Sequence, residues 1–347
     1  MLYVTTRNKN DAHTAHKTLT LDYASDGGLF VPFQMPKISR ENIQEICNKS
    51  FGQCVADILN LFFSARLDGW DVDFCIGRYP IKLVPMSQRI VIAESWHNPD
   101  WEYARMERNL YSRLCGNDGN HGIPTSWAGI AIRIATLFGL YGQLLKKGLV
   151  DNDSSFDVAT ATGDFTTPMS VWYARRMGLP VGKIICACNE NSGLWDLLHH
   201  GQLRTDAVVT PTDTPLCDYN APNNLERLLY SSTSPDAVHD YLKAKNTGVP
   251  YVPGEDVFDR IRQGLFAAVI GRKRIESIIS SVYRISTYLL DPYGALAYGA
   301  LQDYRSTHLE GKTTIILTEK SPICNAEIVS KSLGITVEDL RERLSMA

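Results

Sequence analysis

The chain has 347 residues, of which 44% are hydrophobic and 21% are charged, and its net charge is −3 at pH 7. This composition is typical of a soluble globular protein with a large core and room for two lobes. The slightly acidic balance argues against nucleic acid or an anionic membrane as a partner. The sequence has no run of 18 uninterrupted apolar residues, and Met1–Asn10 lacks a signal-peptide core, so we expect a cytoplasmic protein.

Eight cysteines are scattered along the chain without a CxxC pair, and the histidines lack accompanying ligands. Neither a zinc site nor another metal site is therefore predicted. Cys186 and Cys188 stand two residues apart in an apolar run. If that run is a strand, both thiols point to one face and are buried in the core.

The first half of the chain contains short predicted elements followed by one long helix. Strand-like pieces occur at residues 2–6 and 28–32, a helical stretch at 54–63, and a buried strand at 89–94. From about Ser126 to Lys147, apolar residues recur at helical spacing, which predicts a long helix with one buried face.

The second half alternates between strand and helix patterns. Strands are predicted at 156–161, 181–188 and 313–318, and helices at 168–177, about 190–200, 326–333 and 335–345. Alternation at this spacing predicts an α/β fold, with a mostly parallel twisted sheet covered by helices on both faces.

A candidate anion site lies where the strand at 156–161 gives way to a helix. The segment Thr162-Gly163-Asp164-Phe165-Thr166-Thr167 leaves a buried strand, turns at a glycine and enters a helix with hydroxyl side chains. Free N–H groups and the positive end of a helix favour a phosphate or carboxylate at such a junction. The alternative is that Thr166 or Thr167 only caps the helix. The local pattern leaves both interpretations open.

Several segments, in this order, resemble the threonine synthases, which are fold-type-II pyridoxal-phosphate (PLP) enzymes similar in fold to tryptophan synthase β. The segments are YVTTR (3–7), SDGGLFVP (25–32), SWHNP (95–99), TGDF (162–165), YARRMGLPVGKIICACNEN (173–191), NNLERLLY (223–230), DPYGALAYGAL (291–301) and LTEKSP (317–322). The resemblance covers most of the chain. It implies the family's α/β fold, and it makes residues 162–167 the counterpart of the loop that binds the cofactor phosphate.

The chain departs from the family at the residues that carry its chemistry. The resemblance puts Ala104 at the lysine that forms the internal aldimine, and alanine can neither form a Schiff base nor move a proton. It also puts Thr166 at a glycine of the phosphate loop and Asp164 at an asparagine. Glu319 takes the place of the threonine that faces the pyridine nitrogen. An added carboxylate beside a phosphate site is electrostatically unfavourable.

The resemblance also implies a deletion. Only about twenty residues separate Ala104 from the helix that begins near Trp127, so most of the family's small mobile domain is missing, with a remnant around 90–122. We accordingly divide the chain into an N-terminal threonine-synthase-like segment, 1–112, and a large α/β domain, 113–347.

These departures leave three hypotheses for function. The first is a repurposed protein that handles a small anionic or amino-acid-like ligand in amino-acid or secondary metabolism, bound through a phosphate or carboxylate. The candidate catalytic residues would be His97, Asp164, Glu319 and Lys320, with Asp164 and Glu319 as a general acid–base pair. PLP would bind, if at all, without a covalent bond, and any enzyme activity would be of the lyase type.

The second hypothesis is a pseudoenzyme that serves as a binding or partner protein, as a homodimer or with a partner enzyme. Trp101, Tyr103 and Trp172 would then fill the former cofactor cavity or form an interface. The third is a PLP-dependent lyase in which the lysine was engineered to Ala104, or in which Lys320 took over its role. The losses at positions 105, 166 and 319 argue against the third hypothesis. The retained glycine and hydroxyls of the 162–167 loop favour the first hypothesis slightly over the second.

Overall fold

The computed structural model describes residues 1–76, 81–86, 89–96, 103–115, 126–232, 235–308 and 311–346, the side chains of residues 103–105 and 346 excepted. Its strands are β1 (Leu2–Thr5), β2 (His13–Thr14), β3 (Phe30–Pro32), β4 (Lys82–Pro85), β5 (Ile90–Glu94), β6 (Phe156–Ala161), β7 (Val181–Cys188), β8 (Leu265–Val269) and β9 (Thr314–Thr318). Its helices are α1 (Ala15–Thr20), α2 (Arg40–Asn48), α3 (Phe51–Phe63), α4 (Gly69–Ile76), α5 (Tyr103–Cys115), α6 (Trp127–Lys146), α7 (Thr166–Met177), α8 (Gly193–His200), α9 (Leu225–Ser232), α10 (Pro235–Thr247), α11 (Glu255–Gly264), α12 (Arg272–Ser286), α13 (Pro292–Thr307), α14 (Ala326–Leu333) and α15 (Val337–Met346).

The main sheet has six strands in the order β4-β5-β9-β6-β7-β8. Only β4 and β5 pair antiparallel, and the other neighbouring strands run parallel. These strands are rich in valine, isoleucine and alanine and are largely buried, because helices cover both faces of a parallel sheet. The predicted α/β fold with a mostly parallel sheet is thus confirmed.

The two faces of the sheet belong to two cores. Ile184, Cys186 and Cys188 of β7 pack in one core with α3, α6 and α7. Ile185 and Ala187 pack in the other with α12, α13 and α14. The prediction that both cysteines are buried on the same face is therefore confirmed.

The long helix α6 is the central helix of the larger core. The Ser126 hydroxyl accepts a hydrogen bond from the N–H of Gly129 at 3.2 Å, which explains why the helix begins there. By length and composition α6 could cross a membrane, but 83% of its apolar window is buried inside the fold. Its apolar surface is therefore used for packing, as in the core helix of a globular protein.

A small antiparallel sheet, β2-β1-β3, packs on the same core. The Tyr3 hydroxyl donates to the carbonyl of Phe62 at 2.9 Å. The fully buried guanidinium of Arg227, on α9, donates twice to the carbonyl of Phe30 at 3.1 Å. The strands β4 and β5 also join the main sheet, so residues before and after position 112 share one core. The domain boundary between residues 112 and 113 stays a prediction.

Candidate ligand-binding cleft

A cavity of about 330 Å³ opens at the carboxyl ends of β6 and β9, beside the start of α7. Ligands of open α/β sheets bind at this edge. The cavity is lined by Glu107, Arg133, Thr160, Ala161, Thr162, Gly163, Asp164, Thr167, Leu216, Cys217, Tyr219, Tyr293, Leu317, Glu319 and Lys320. We call this cavity the cleft.

The loop from β6 into α7 is held by hydrogen bonds within the chain. The N–H and the hydroxyl of Thr162 both donate to the carbonyl of Ala187, at 2.9 and 3.1 Å, and fasten the loop to β7. Gly163 and Phe165 adopt left-handed backbone angles, with φ of 51° and 69°. Phe165 is buried in the core, and neither it nor Thr166 lines the cleft. Four of the six predicted loop residues therefore face the cleft.

The N–H groups of the predicted phosphate cradle are partly satisfied already. Asp164 accepts a hydrogen bond from the Thr166 N–H at 2.9 Å and another from the Thr166 hydroxyl at 2.8 Å. The N–H of Phe165 donates to the carbonyl of Thr162 at 2.9 Å. The carboxylate of Asp164, and not the hydroxyl of Thr166 or Thr167, thus satisfies the first N–H of α7. A negative charge at this end of a helix is favourable.

A charge cluster lines the cleft next to the end of this loop. Arg133 of α6 donates through Nη1 to Glu319 Oε1 at 2.5 Å and to Thr167 Oγ1 at 3.0 Å. Its Nε lies 3.4 Å from Oε1 of Glu107, on α5. Only 15% of the Arg133 side chain is exposed, so this arginine is held between two carboxylates.

Glu107 is the most buried carboxylate of the cleft, with 7% of the residue exposed. Burial raises its pKa from 4.5 to about 7. The positive charge of Arg133 opposes this rise, whereas the negative charges of Glu319 and Asp164 add to it. Its Oε1 accepts no hydrogen bond from the described residues. Glu107 can therefore change its protonation state near neutral pH, and its Oε1, although close to Arg133, still has capacity to accept a hydrogen bond.

The structure brings three of the four candidate catalytic residues into the cleft. Asp164 is bonded to Thr166, and Glu319 accepts from Arg133 and, at 3.2 Å, from Thr167. Lys320 is half-buried on the cleft wall. Within the described part of the chain, no hydrogen bond or ion pair engages its ammonium group. His97 lies outside the described residues.

Of the three aromatic residues expected to fill the cofactor cavity, the structure describes the side chain of Trp172 alone. Trp172 does not line the cleft. Trp101 lies outside the described residues, as does the side chain of Tyr103. Position 104 is in the first turn of α5, one turn before Glu107. The residue that the resemblance puts at the lysine is thus a near neighbour, along this helix, of the cleft's buried acid.

Sequence reasoning missed both Glu107 and Arg133. A signal for Arg133 existed, because it is the only charged residue of α6 before Lys146, and a charge within an apolar helix requires a partner. Glu107 carried no such signal, since α5 is polar around it and its burial depends on packing against α6.

Residues 2–78 match the family described as threonine synthase N terminus. Human threonine synthase-like 1 is 27% identical over 176 residues, which cover 50% of this chain and 24% of that protein. Threonine synthase from Pseudomonas aeruginosa is 29% identical over 185 residues, which cover 52% of this chain and 38% of that protein. The aligned parts thus span less than half the length of these curated relatives.

Solved structures of threonine synthases share the fold. The PLP-bound enzyme from Brucella melitensis superposes with a TM-score of 0.85 at 19% identity, covering 96% of this chain and 92% of that chain. The yeast enzyme gives 0.83 at 16% identity, covering 99% and 94%. At these identities the superpositions establish the fold alone. The chain thus has the fold of the threonine synthases and is similar to them in sequence over about half of its length.

Proposed function

We propose that the cleft binds a small amino-acid-like zwitterion and that the protein acts in amino-acid-related metabolism without an internal aldimine. The observation that carries the proposal is the pairing of opposite charges on one cavity. Buried Glu107 offers a carboxylate oxygen without a hydrogen bond from the described residues, and Lys320 offers an ammonium group that pairs with none of them.

Charge balance favours a zwitterion over a phosphate in this cleft. Among the described residues, its walls carry three carboxylates, those of Glu107, Asp164 and Glu319, against the cations of Arg133 and Lys320. A ligand with a separate ammonium and carboxylate can pair with Glu107 at one end and Lys320 at the other. A phosphate dianion would lie close to Asp164, and like charges repel strongly in a partly buried site.

PLP, which the Brucella melitensis enzyme binds, does not fit the start of α7 in its present form. The Thr166 N–H that would hold the phosphate is already bonded to Asp164. A phosphate placed there would have to displace this carboxylate from the positive end of the helix. The expectation that PLP binds without a covalent bond stays a prediction, and no step of the proposed activity depends on it.

The chemistry that these residues support is proton transfer. A carboxyl group with a pKa near 7 is matched to general acid or base catalysis at neutral pH. Glu107 would exchange a proton with the ligand. Arg133 would hold Glu107 and Glu319 in place, and Lys320 would orient the ligand carboxylate. A lyase-type reaction on an amino-acid-like substrate requires a residue in the role we give Glu107.

One observation favours a binding protein as the second candidate function. Within the loop at 162–167, Asp164 already accepts from the Thr166 N–H, so one donor of the predicted phosphate cradle is taken without any ligand. A protein of this kind would bind the zwitterion without turnover. Product formation from the bound ligand distinguishes the two candidates.

Titration calorimetry with L-serine, L-threonine and L-homoserine tests the proposal. We expect at least one of these amino acids to bind, with about tenfold or greater weakening in Lys320→Met, since a charge-assisted hydrogen bond is lost. Lys312→Met, a lysine outside the cleft, is the matched control. Absence of binding by all three would refute the proposal.

A separate experiment tests whether Lys320 has taken over the lysine's role. The protein is incubated with PLP, reduced with borohydride and digested for mass spectrometry. A pyridoxyl adduct on Lys320 would support the takeover and would contradict our proposal that no aldimine forms. The proposal predicts no adduct at this position.

A further inference from the structure

A second cavity, of about 340 Å³, lies along α7 away from the cleft. We call it the arginine pocket, because Arg175, Arg176 and Arg260 line it together with Trp172 and Gly264. None of these residues lines the cleft. Arg175 and Thr167 of the cleft are eight residues apart on α7, or about 12 Å along its axis.

The three guanidinium groups of the arginine pocket come from two helices. Arg175 and Arg176 lie on α7, and Arg260 lies on α11. Arg176 donates to the carbonyl of Ser231, and Arg260 donates to that of Ser232 at 2.6 Å. Among the residues that the structure describes, no carboxylate forms an ion pair with any of the three. The half-buried Arg175 and the exposed Arg176 and Arg260 therefore line one cavity, and no carboxylate of the described residues pairs with them.

Arg175 is the least solvated of the three, and its surroundings fix it. It is half-buried, and burial lowers its pKa, an effect that the charge of Asp157 only partly opposes. A Cβ at Gly264 would approach the Trp172 ring to 2.4 Å and Arg175 Nη1 to 2.8 Å. Only glycine at 264 leaves room for this packing, so the backbone of α11 holds the indole and the guanidinium together.

Interaction with the end of α7 explains only part of this arrangement. Arg175 and Arg176 are in the last turn, where positive side chains stabilise a helix. That effect does not explain Arg260, which belongs to α11 and lies before its last turn. It also does not explain why Arg175 is partly desolvated, since exposed basic residues serve a helix terminus equally well.

We propose that the arginine pocket binds the phosphate group of a small metabolite. Arginine is suited to this role because its planar, permanently charged guanidinium donates two parallel hydrogen bonds to phosphate oxygens. Three such groups match a dianion, and the volume leaves room for a small organic part beside Trp172. The proposal is independent of the zwitterion assigned to the cleft.

Calorimetric titration with inorganic phosphate tests the proposal, with glucose 6-phosphate as a probe that carries an organic part. The double variant Arg175→Gln/Arg260→Gln should weaken binding of both probes by about tenfold or more, because charge-assisted hydrogen bonds are removed. Arg284→Gln, an exposed arginine of α12, is the matched control and should bind as the unsubstituted protein does. Thermal unfolding of each variant checks that the fold is intact.

Two further measurements make the outcome decisive. The double variant Arg175→Lys/Arg260→Lys keeps the positive charges but loses the forked geometry of the guanidinium groups. Its affinity for phosphate should therefore lie between that of the unsubstituted protein and that of the double glutamine variant. Lys320→Met changes only the cleft and should leave phosphate binding unchanged. The proposal is overturned if phosphate does not bind the unsubstituted protein, if the double glutamine variant binds equally well, or if Lys320→Met abolishes binding.

Discussion

The carboxylate of Asp164 accepts two hydrogen bonds from Thr166, one from its N–H at 2.9 Å and one from its hydroxyl at 2.8 Å. Asn224 donates to the same hydroxyl at 2.9 Å, so Thr166 is fixed from both sides. A carboxylate of the chain itself thus occupies the helix end at which the sequence resemblance predicted a phosphate-binding loop.

Replacing Asp164 by asparagine should open this helix end to external anions. The change removes a negative charge and keeps a side chain that can cap α7, so the cost in stability should be small. We expect binding of PLP to strengthen by about tenfold or more, because the charge repelling its phosphate is gone. Absorbance titration measures it, in the Arg175→Gln/Arg260→Gln background so that the arginine pocket does not contribute.

Asp153→Asn is the control for that experiment, since Asp153 is an exposed carboxylate outside the cleft. It should leave PLP binding unchanged. Equal affinities for Asp164→Asn and the unsubstituted protein would show that Asp164 does not exclude the phosphate.

The pKa of Glu107 predicts a pH-dependent stability difference. Because burial raises this pKa from 4.5 to about 7, the folded state holds the proton more tightly than the unfolded state. The protonated Glu107 therefore contributes favourably to the free energy of unfolding below pH 4.5, and this contribution is lost as the pH rises through 7. The side chain at position 107 of the Glu107→Gln variant cannot titrate, so the variant escapes this loss. From pH 5 to pH 8 its free energy of unfolding should rise by roughly 2–3 kcal/mol relative to that of the unsubstituted protein.

Urea unfolding of both proteins at pH 5 and pH 8 measures this change. Asp291, whose pKa burial also raises to about 7, is present in both proteins, so its effect cancels in the comparison. A stability difference that does not change with pH would contradict the assigned protonation of Glu107.

Arg133 should be essential to the cleft because it neutralises two carboxylates. Arg133→Gln leaves Glu107 and Glu319 without their common cation and should lower the free energy of unfolding by roughly 2–4 kcal/mol at pH 8. Adding Glu107→Gln should restore part of the loss, because one uncompensated charge is then removed. Urea unfolding of the single and double variants tests this coupling, and additive effects would exclude it.

The N-terminal sheet should depend on Arg227. Its guanidinium donates to the Phe30 carbonyl and, at 2.5 Å, to the side chain of Asn224. Arg227→Met removes these donors and leaves buried acceptors without hydrogen bonds. We therefore expect the free energy of unfolding to fall by roughly 2–4 kcal/mol. Arg204→Met, an exposed arginine, is the control in thermal unfolding. Equal unfolding temperatures for the two variants would contradict the assigned role.

Local patterns predicted about half of the regular elements. The strand at 181–188 has the predicted bounds, and α6 was predicted from Ser126 to Lys147 and extends from Trp127 to Lys146. The last helix, predicted at 335–345, extends from Val337 to Met346, and Thr336 and Asp339 cap it reciprocally. Such features depend on neighbours along the chain, which a sequence displays directly.

The features that sequence did not predict depend on contacts between distant segments. α7 begins at Thr166 rather than at Pro168, because Asp164 satisfies its first N–H. β8 was not predicted, since Leu265–Val269 becomes an edge strand only by pairing with β7. The Glu107–Arg133–Glu319 cluster joins α5, α6 and the residue that follows β9. These residues are far apart in the sequence, so no spacing along the chain predicts their contact.

The central claim, a zwitterion held between Glu107 and Lys320, is tested most directly by calorimetry with three matched ligands. These are the amino acid that binds best, its 2-hydroxy acid analogue without the ammonium, and its amino alcohol without the carboxylate. We predict that both analogues bind the unsubstituted protein about tenfold or more weakly than the amino acid does. The variant Glu107→Gln should bind the amino acid and the hydroxy acid equally well. The variant Lys320→Met should bind the amino acid and the amino alcohol equally well. Equal binding of all three ligands, or preferences that both variants retain, would contradict the account.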